Sequence, residues 1–138
     1  MQFKPKCELV VESKPFVDVE VLRVHYDITS LDCLTLDLES TSHGEFAIRF
    51  ESPEGVRVLD EGQLCEFWNQ HSSPNGWLWQ VLDGGWLALE RQRDQFYLED
   101  MTPGTLLEFF IVADQCVSVL TRFPPVFPGD SSASGTVA

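Results

Sequence analysis

Cysteine and histidine are the side chains of this sequence that could carry out nucleophilic or metal chemistry. They are scattered along the chain as Cys7, His25, Cys33, His43, Cys65, His71 and Cys116. A nucleophilic thiol needs an imidazole beside it. Adjacent strands could bring Cys33 opposite His25 or His43, which keeps a Cys–His hydrolase open as one alternative function. The sequence assigns no catalytic residue.

The spacing of these residues does not match the motifs of metal-binding or redox-active sites. The chain has no C-x-x-C pair and no H-x-x-x-H pair, so we expect no metal site and no cofactor. Residues 1–14 hold no apolar stretch of signal-peptide length, and the longest apolar run, 109–113, is too short to span a membrane. We therefore expect a cytoplasmic protein with reduced thiols and no membrane partner.

Carboxylates are the most abundant functional groups, since Asp and Glu outnumber Lys and Arg by 22 to 9 and give a formal net charge of −13. This imbalance argues against nucleic acid as a partner, because a phosphate backbone is bound by basic side chains. It favours a basic protein partner. The predicted acidic patch consists of Glu51, Glu54, Asp60, Glu61 and Glu66. The alternative interpretation is a solvated acidic surface.

Four tryptophans, Trp68, Trp77, Trp79 and Trp86, lie close together in the sequence. Strand alternation predicts that Trp77 and Trp79 share one face of a sheet. They could line a pocket for a ligand, which would make the protein a small-molecule-binding β-barrel. The interpretation that the sequence favours is a core cluster between a hairpin and a helix.

Alternation of apolar and polar residues dominates the first half of the chain. The segments concerned are 16–26, 31–39, 45–51 and 56–58. Turn residues separate them, and together they predict an antiparallel meander of four or five strands. In the first segment the phase reverses near Val21 and Leu22, which predicts a β-bulge and makes Val24 and Tyr26 inward-facing residues.

One helix is predicted at Asp60–Gln70, where Asp60 can act as the N-cap and Gln63 completes a capping box. The sequence Asp83-Gly84-Gly85 between 77–82 and 86–90 predicts a β-hairpin. A second hairpin is predicted from 105–113 and 116–122. Its first arm has apolar residues on both faces, which places it centrally in the sheet.

These elements predict a single α+β domain over residues 1–128 and a flexible tail at 129–138. The domain would contain a strongly curved, predominantly antiparallel sheet of about eight strands, open or closed into a barrel, with one packed helix. Segment 123–128 contains three prolines and is predicted to pack as an extended strap. The predicted core consists of Val19, Leu34, Leu36, Phe46, Ile48, Phe67, Trp68, Trp79, Trp86, Phe110, Val112 and Val119.

Five short motifs stand out: GVRVLDE at 55–61, CEFW at 65–68, GWL at 85–87, EFFIV at 108–112 and CVSVL at 116–120. With these motifs the chain resembles small bacterial proteins of unassigned function over most of residues 16–125. In size and acidity the chain also resembles bacterial immunity proteins, which neutralise toxins. That resemblance implies an inhibitor of a toxin and carries no functional residues over to this chain.

The leading prediction is a non-enzymatic, acidic protein-binding module, most specifically an immunity-type inhibitor of a basic bacterial toxin. The predicted acidic patch would cover a basic cleft on the toxin, and long-range attraction would accelerate capture. A homodimer through an exposed sheet edge is also compatible with the sequence, since the strands offer no obvious inward Lys or edge Pro to block pairing.

Overall fold

The computed structural model of the protein describes residues 6–27, 33–60, 76–92 and 106–128. Its strands are β1 (Lys6–Leu9), β2 (Glu20–Asp27), β3 (Cys33–Ser40), β4 (Gly44–Glu51), β5 (Gly55–Asp60), β6 (Leu78–Asp83), β7 (Leu107–Val112) and β8 (Gln115–Thr121). A 3₁₀ turn spans Val11–Ser13, and helix α1 spans Trp86–Glu90. All strand pairs are antiparallel, which confirms the predicted sheet-dominated α+β class.

The strands form two sheets, and the expectation of one continuous sheet was wrong. The five-stranded sheet has the order β1-β6-β7-β8-β5, and the three-stranded sheet has the order β2-β3-β4. The described strands do not close into a barrel. The predicted meander ends after β4, because the turn at Ser52 and Pro53 redirects the chain and β5 pairs with β8 instead. Ser52 adopts a positive φ of 48° in this turn.

The main core lies between the two sheets, as alternation predicts for half-buried strands. Leu34, Leu36 and Leu38 of β3 are fully buried against the five-stranded sheet. Phe50 of β4 and Phe109 of β7 meet across the core with ring centroids 5.7 Å apart. Strand β7 is the middle strand of its sheet and is buried on both faces. Its hairpin with β8 and its central position are therefore confirmed.

The predicted bulge in the first long strand is present, since the pairing of β2 with β3 shifts between Val21 and Arg23. Val24 and Tyr26 pair with the buried Leu36 and Leu34, so they lie on the inner side of the sheet, as the reversal of phase predicts. Leu22, Val24 and Tyr26 remain 37%, 36% and 46% exposed. Their strand is an edge of the three-stranded sheet, and their side chains stay partly exposed there.

The hairpin predicted around Asp83-Gly84-Gly85 is absent, because residues 86–90 form α1. Leu87, Ala88 and Leu89 are good helix formers. The first backbone N–H groups of α1 donate to the buried carboxylate of Glu108 on β7: Trp86 to Oε2 and Leu87 to Oε1, both at 2.9 Å. A distant acceptor thus stabilises a helix start where the local sequence predicts a turn.

The predicted strap packs against the edge of β4, as expected. Val126 exchanges backbone hydrogen bonds with Arg49, and Phe127 is buried against Phe16 and Trp77.

Of the predicted core, eight residues are buried: Val19, Leu34, Leu36, Ile48, Trp79, Phe110, Val112 and Val119. Phe46 and Trp86 are partly buried, while Phe67, Trp68 and the tail at 129–138 lie outside the described residues.

Candidate functional site

The outer face of the three-stranded sheet carries eight charged side chains. We call this surface the acidic face. Its charged members are Glu20, Arg23, Asp27, Asp37, Glu39, Glu45, Arg49 and Glu51. Six carboxylates and two guanidinium groups give it a net charge of −4. The described residues as a whole hold fifteen carboxylates and seven basic groups, so this one face holds half of their net charge.

Three carboxylates on the acidic face are direct neighbours across the strands. Glu20 is paired with Glu39, and Glu39 is paired with Glu45. We call these three residues the acidic row. Their side chains are exposed on the face opposite the buried Leu38. Like charges directly opposite each other in a sheet are destabilising. The alternation that buries Leu38 nevertheless fixes the register and holds the acidic row together.

Basic side chains offset only part of the acidic face. Asp37 lies beside the acidic row and receives a hydrogen bond from Arg23 Nε at 2.9 Å, and His25 Nε2 is 3.2 Å from the same carboxylate oxygen. The hydrogen bond from Arg23 is the main cause that lowers the pKa of Asp37, so this carboxylate stays ionised. Arg23 also reaches Glu45 at 3.9 Å. Within the described part of the chain, Glu20 and Glu39 form no ion pair.

The predicted acidic patch is only partly visible in the structure. Glu51 lies 3.3 Å from Arg49, and Glu54 lies 3.4 Å from Arg122, so both carboxylates have an internal cationic neighbour. Asp60, the predicted helix N-cap, is the last residue of β5 and pairs with Gln115. Glu61, Glu66 and the remainder of the helix predicted at Asp60–Gln70 lie outside the described residues. A role in partner binding stays a prediction for all five.

The predicted ligand-binding tryptophans are both buried, with Trp77 3% and Trp79 8% exposed. They do not share one cluster. Trp77 precedes β6 and packs in the main core, where its Nε1 donates to the carbonyl of Ser13 at 3.0 Å. Trp79 packs on the opposite face of the sheet with Phe110. Alternation fails here because Trp77 lies outside the regular strand, which begins at Leu78. Ligand binding by these residues stays a prediction.

The cysteines and histidines are not brought together by the described residues. His25 contacts Asp37, His43 contacts Ser42, and Cys33 contacts Thr35. Within the described stretches, neither His25 nor His43 has a cysteine sulfur within hydrogen-bond distance, so the hydrolase alternative gains no support from them. Among the residues with described placement there is also no cluster of three or more side chains that could hold a metal ion.

A buried carboxyl group lies on the other side of the protein from the acidic face, beneath α1. Glu108 is 2% exposed, and burial raises its pKa, although the N–H groups of Leu87 and Trp86 and the charges of Arg57 and Arg91 oppose this shift. Burial and the nearby Glu108 also raise the pKa of Cys7 to about 12. These contacts position a helix, which gives Glu108 a structural role.

One open cavity lies beside β1 and the 3₁₀ turn. It has a volume of about 320 Å³ and is bordered by β1, β6, β7 and the strap. Its walls include Leu9, Phe109 and the strap prolines Pro124 and Pro125, and the carboxylates of Glu8 and Glu12 are also in the lining. Its size is at the lower end of the range for small-molecule sites.

Comparisons with family models, with curated proteins and with solved structures found no match for this chain. In the four described stretches, no helix has the length and apolar character needed to cross a membrane.

The sequence analysis did not identify the acidic row or Glu108. For each of them, part of the sequence pattern could have indicated the residue. Glu39 and Glu45 flank the turn between β3 and β4 on the polar phase of both strands, so a hairpin register would have paired them. Glu20 could not be aligned without the exact position of the bulge. Glu108 interrupts the apolar run of β7, and a charged residue in a fully buried strand requires a partner.

Proposed function

We propose that this protein is a non-enzymatic protein-binding module that docks a basic partner on its acidic face. The acidic row carries the proposal. Glu20, Glu39 and Glu45 oppose one another in register, which costs folding stability, and the exposed strands present them together to an approaching protein. An immunity-type inhibitor of a basic bacterial toxin, acting in the cytoplasm, is the most specific form of this proposal.

The electrostatics of the acidic face explain what such a site would do. A concentrated region of one sign attracts an oppositely charged protein over several ångströms, and this attraction raises the association rate. Salt screens it, with a Debye length of about 10 Å at 0.1 M ionic strength. A partner bound by the acidic face should therefore associate more slowly as the salt concentration rises.

Charge reversal within the acidic row tests the proposal. In Glu20→Lys/Glu39→Lys the two paired residues keep charges of the same sign, so the cost of their repulsion is retained. The matched control, Glu12→Lys/Asp83→Lys, changes the net charge equally at two exposed residues elsewhere. Capture of basic proteins from a bacterial lysate by immobilised protein would be compared at about 50 mM and about 500 mM NaCl, where screening differs strongly.

We expect the wild type and the control to retain the same basic protein at low salt and release it at high salt. The acidic-row variant should fail to retain it. Equal loss of capture by both variants would show that only net charge matters and would contradict the proposed site. Capture that is insensitive to salt would contradict the electrostatic mechanism.

The open cavity favours small-molecule binding as a second candidate function. The lining combines apolar side chains with the carboxylates of Glu8 and Glu12, which suits a small organic cation with an apolar body. This candidate does not require the buried Trp77 or Trp79 to line the site. Thermal-shift screening of a set of aromatic and aliphatic amines would test it, with Glu8→Gln/Glu12→Gln as the variant that should lose any stabilisation.

A further inference from the structure

Strand β2 is an edge of the three-stranded sheet, and no described strand pairs with its outer side. Leu22 lies in the bulge, and from there to His25 the strand is exposed on both faces. Leu22 and Val24 contribute apolar side chains, and Arg23 and His25 contribute polar side chains on the acidic face. We call residues 22–25 the open edge. An edge strand presents backbone N–H and C=O groups that can pair with another extended chain.

Among the described residues, the features that block such pairing lie at the beginning of β2. At Val21 the backbone N–H donates to Asp114 Oδ1 at 3.0 Å, and the bulge distorts the strand at the same place. Both features are devices that block edge pairing. From Leu22 to His25 the strand contains no proline and no lysine, the residues that most often protect an edge.

We propose that the open edge binds an extended segment of the basic partner, which adds a strand beside β2. This inference rests on the proposed function and specifies the partner's binding mode. Backbone hydrogen bonds would provide affinity, and alternate side chains would provide specificity. One set would be apolar and would cover Leu22 and Val24. The other set would be Lys or Arg and would extend over the acidic face.

The charges of β2 are compatible with a basic segment, although two of its own side chains are basic. Arg23 Nε and His25 Nε2 both point to Asp37 on β3, away from the outer side of the strand. Glu20 and Asp27 mark the two ends of β2. The neighbouring acidic row therefore determines the sign of the potential that an incoming segment meets.

A second copy of this chain fits the open edge less well. If two β2 strands paired antiparallel about Arg23 and Val24, Glu20 of each copy would oppose Asp27 of the other. The two acidic faces would also lie side by side, and each chain already carries a formal charge of −13. Like charges in this arrangement oppose association.

Binding of synthetic peptides to the full chain tests the inference. The probe is a capped peptide of about ten residues that alternates Lys and Val, long enough to span β2. A control peptide has Pro in place of every Val, so it keeps the charge but cannot donate the alternate backbone hydrogen bonds. Fluorescence titration would give the affinities, and amide hydrogen exchange by NMR would report on residues 22–25.

Val24→Asp separates strand addition from simple charge attraction. The variant adds a negative charge, so attraction alone predicts equal or tighter binding of the basic peptide. Strand addition predicts several-fold weaker binding, because the added segment would cover a charged group where Val24 offers apolar contact. Val11→Asp is the matched control, since Val11 is 65% exposed in the 3₁₀ turn and lies outside β2.

We expect the Lys–Val peptide to bind the wild type and Val11→Asp with equal affinity and to bind Val24→Asp several-fold more weakly. Binding to the wild type should also slow amide exchange at the open edge. Equal affinity for the Lys–Pro peptide, with Val24→Asp unaffected, would overturn strand addition and leave docking on the acidic face intact. If neither peptide bound in a salt-dependent way, the proposed function would fail as well. A dimer in sedimentation analysis that Val24→Asp dissociates would identify a second copy as the occupant and overturn the inference.

Discussion

Glu108 and Leu87 are 21 positions apart, yet Glu108 Oε1 accepts a 2.9 Å hydrogen bond from the backbone N–H of Leu87. The other carboxylate oxygen accepts the N–H of Trp86 at the same distance. Glu108 thus replaces the local N-cap that α1 lacks, since Gly85 provides no side chain to cap it. A Cβ at Gly85 would come within 2.7 Å of Glu108 Oε2, so this approach also requires glycine.

Replacement of Glu108 by Ala should destabilise the protein, because two N–H groups at the start of α1 would lose their acceptor. We expect the free energy of unfolding at neutral pH to fall by about 1–3 kcal/mol. Urea denaturation measures this change, and amide hydrogen exchange should accelerate specifically in residues 86–91. Glu54→Ala, which removes a partly exposed ion pair with Arg122, is the control and should cost less than about 1 kcal/mol. Equal losses in the two variants would contradict the capping role.

Stability should also depend on the ionisation of Glu108. Burial raises its pKa in the folded state above the usual glutamate range, so the folded protein holds this proton more tightly than the unfolded chain. Stability from this group is then complete below the usual glutamate pKa. It is lost as the pH rises through the raised value.

Glu108→Ala lacks this titration, so the difference in unfolding free energy between wild type and variant should be largest in acid and should narrow as the pH rises. Urea denaturation of both proteins from about pH 4 to pH 8 would measure it. The comparison cancels the opposite contribution of Asp37, whose pKa is lowered and which is present in both proteins. A difference that widens with pH would contradict the assigned direction.

The alternation of apolar and polar residues predicted the central strands correctly. It reflects a local requirement, because the apolar side chains of a strand must all face the core. Leu34, Leu36 and Leu38 can be buried together only in a strand, and the run from Leu107 to Val112 has apolar residues for two buried faces. The reversal of phase near Val21 is the direct consequence of the extra residue in a bulge. These features needed no information from distant parts of the chain.

The features that the sequence did not predict correctly depend on residues far away in the chain. Asp83-Gly84-Gly85 is compatible with a tight turn, but Glu108 stabilises a helix directly after it. Division into two sheets follows from the pairing of β5 with β8, which local patterns do not determine. The acidic row was missed for the same reason, because its members become neighbours only when the register of three strands is known.

Cys7 should react slowly with alkylating agents in the folded protein. Its pKa is raised to about 12, first by burial and then by Glu108, and the thiolate is the reactive form. At pH 8.5 the thiolate fraction should be below about one in a thousand. Peptide mapping by mass spectrometry after iodoacetamide treatment measures modification at each site.

The expected order places Cys33, which is partly exposed on the acidic face, ahead of Cys7 and of the buried Cys116. The control is the same reaction in urea, where the folded environment is lost and these three thiols should react at similar rates. In Glu108→Ala, Cys7 should react faster than in the wild type but still more slowly than in urea, because burial is the larger cause. Rapid modification of Cys7 in the folded wild type would contradict its assigned environment.

The negative charge of Glu39 should favour binding of a basic partner but lower the stability of the fold. It faces Glu20 on one side and Glu45 on the other, so Glu39→Gln should relieve both like-charge contacts. We expect the free energy of unfolding to rise by about 0.2–1 kcal/mol at low salt, and less at high salt because repulsion is screened. Glu12→Gln, at an exposed position of the 3₁₀ turn, is the matched control and should change stability little. Urea denaturation at both salt concentrations distinguishes the variants.

The same Glu39→Gln protein should capture its basic partner less well than the wild type. A gain in stability with unchanged capture would show that the acidic row does not bind the partner.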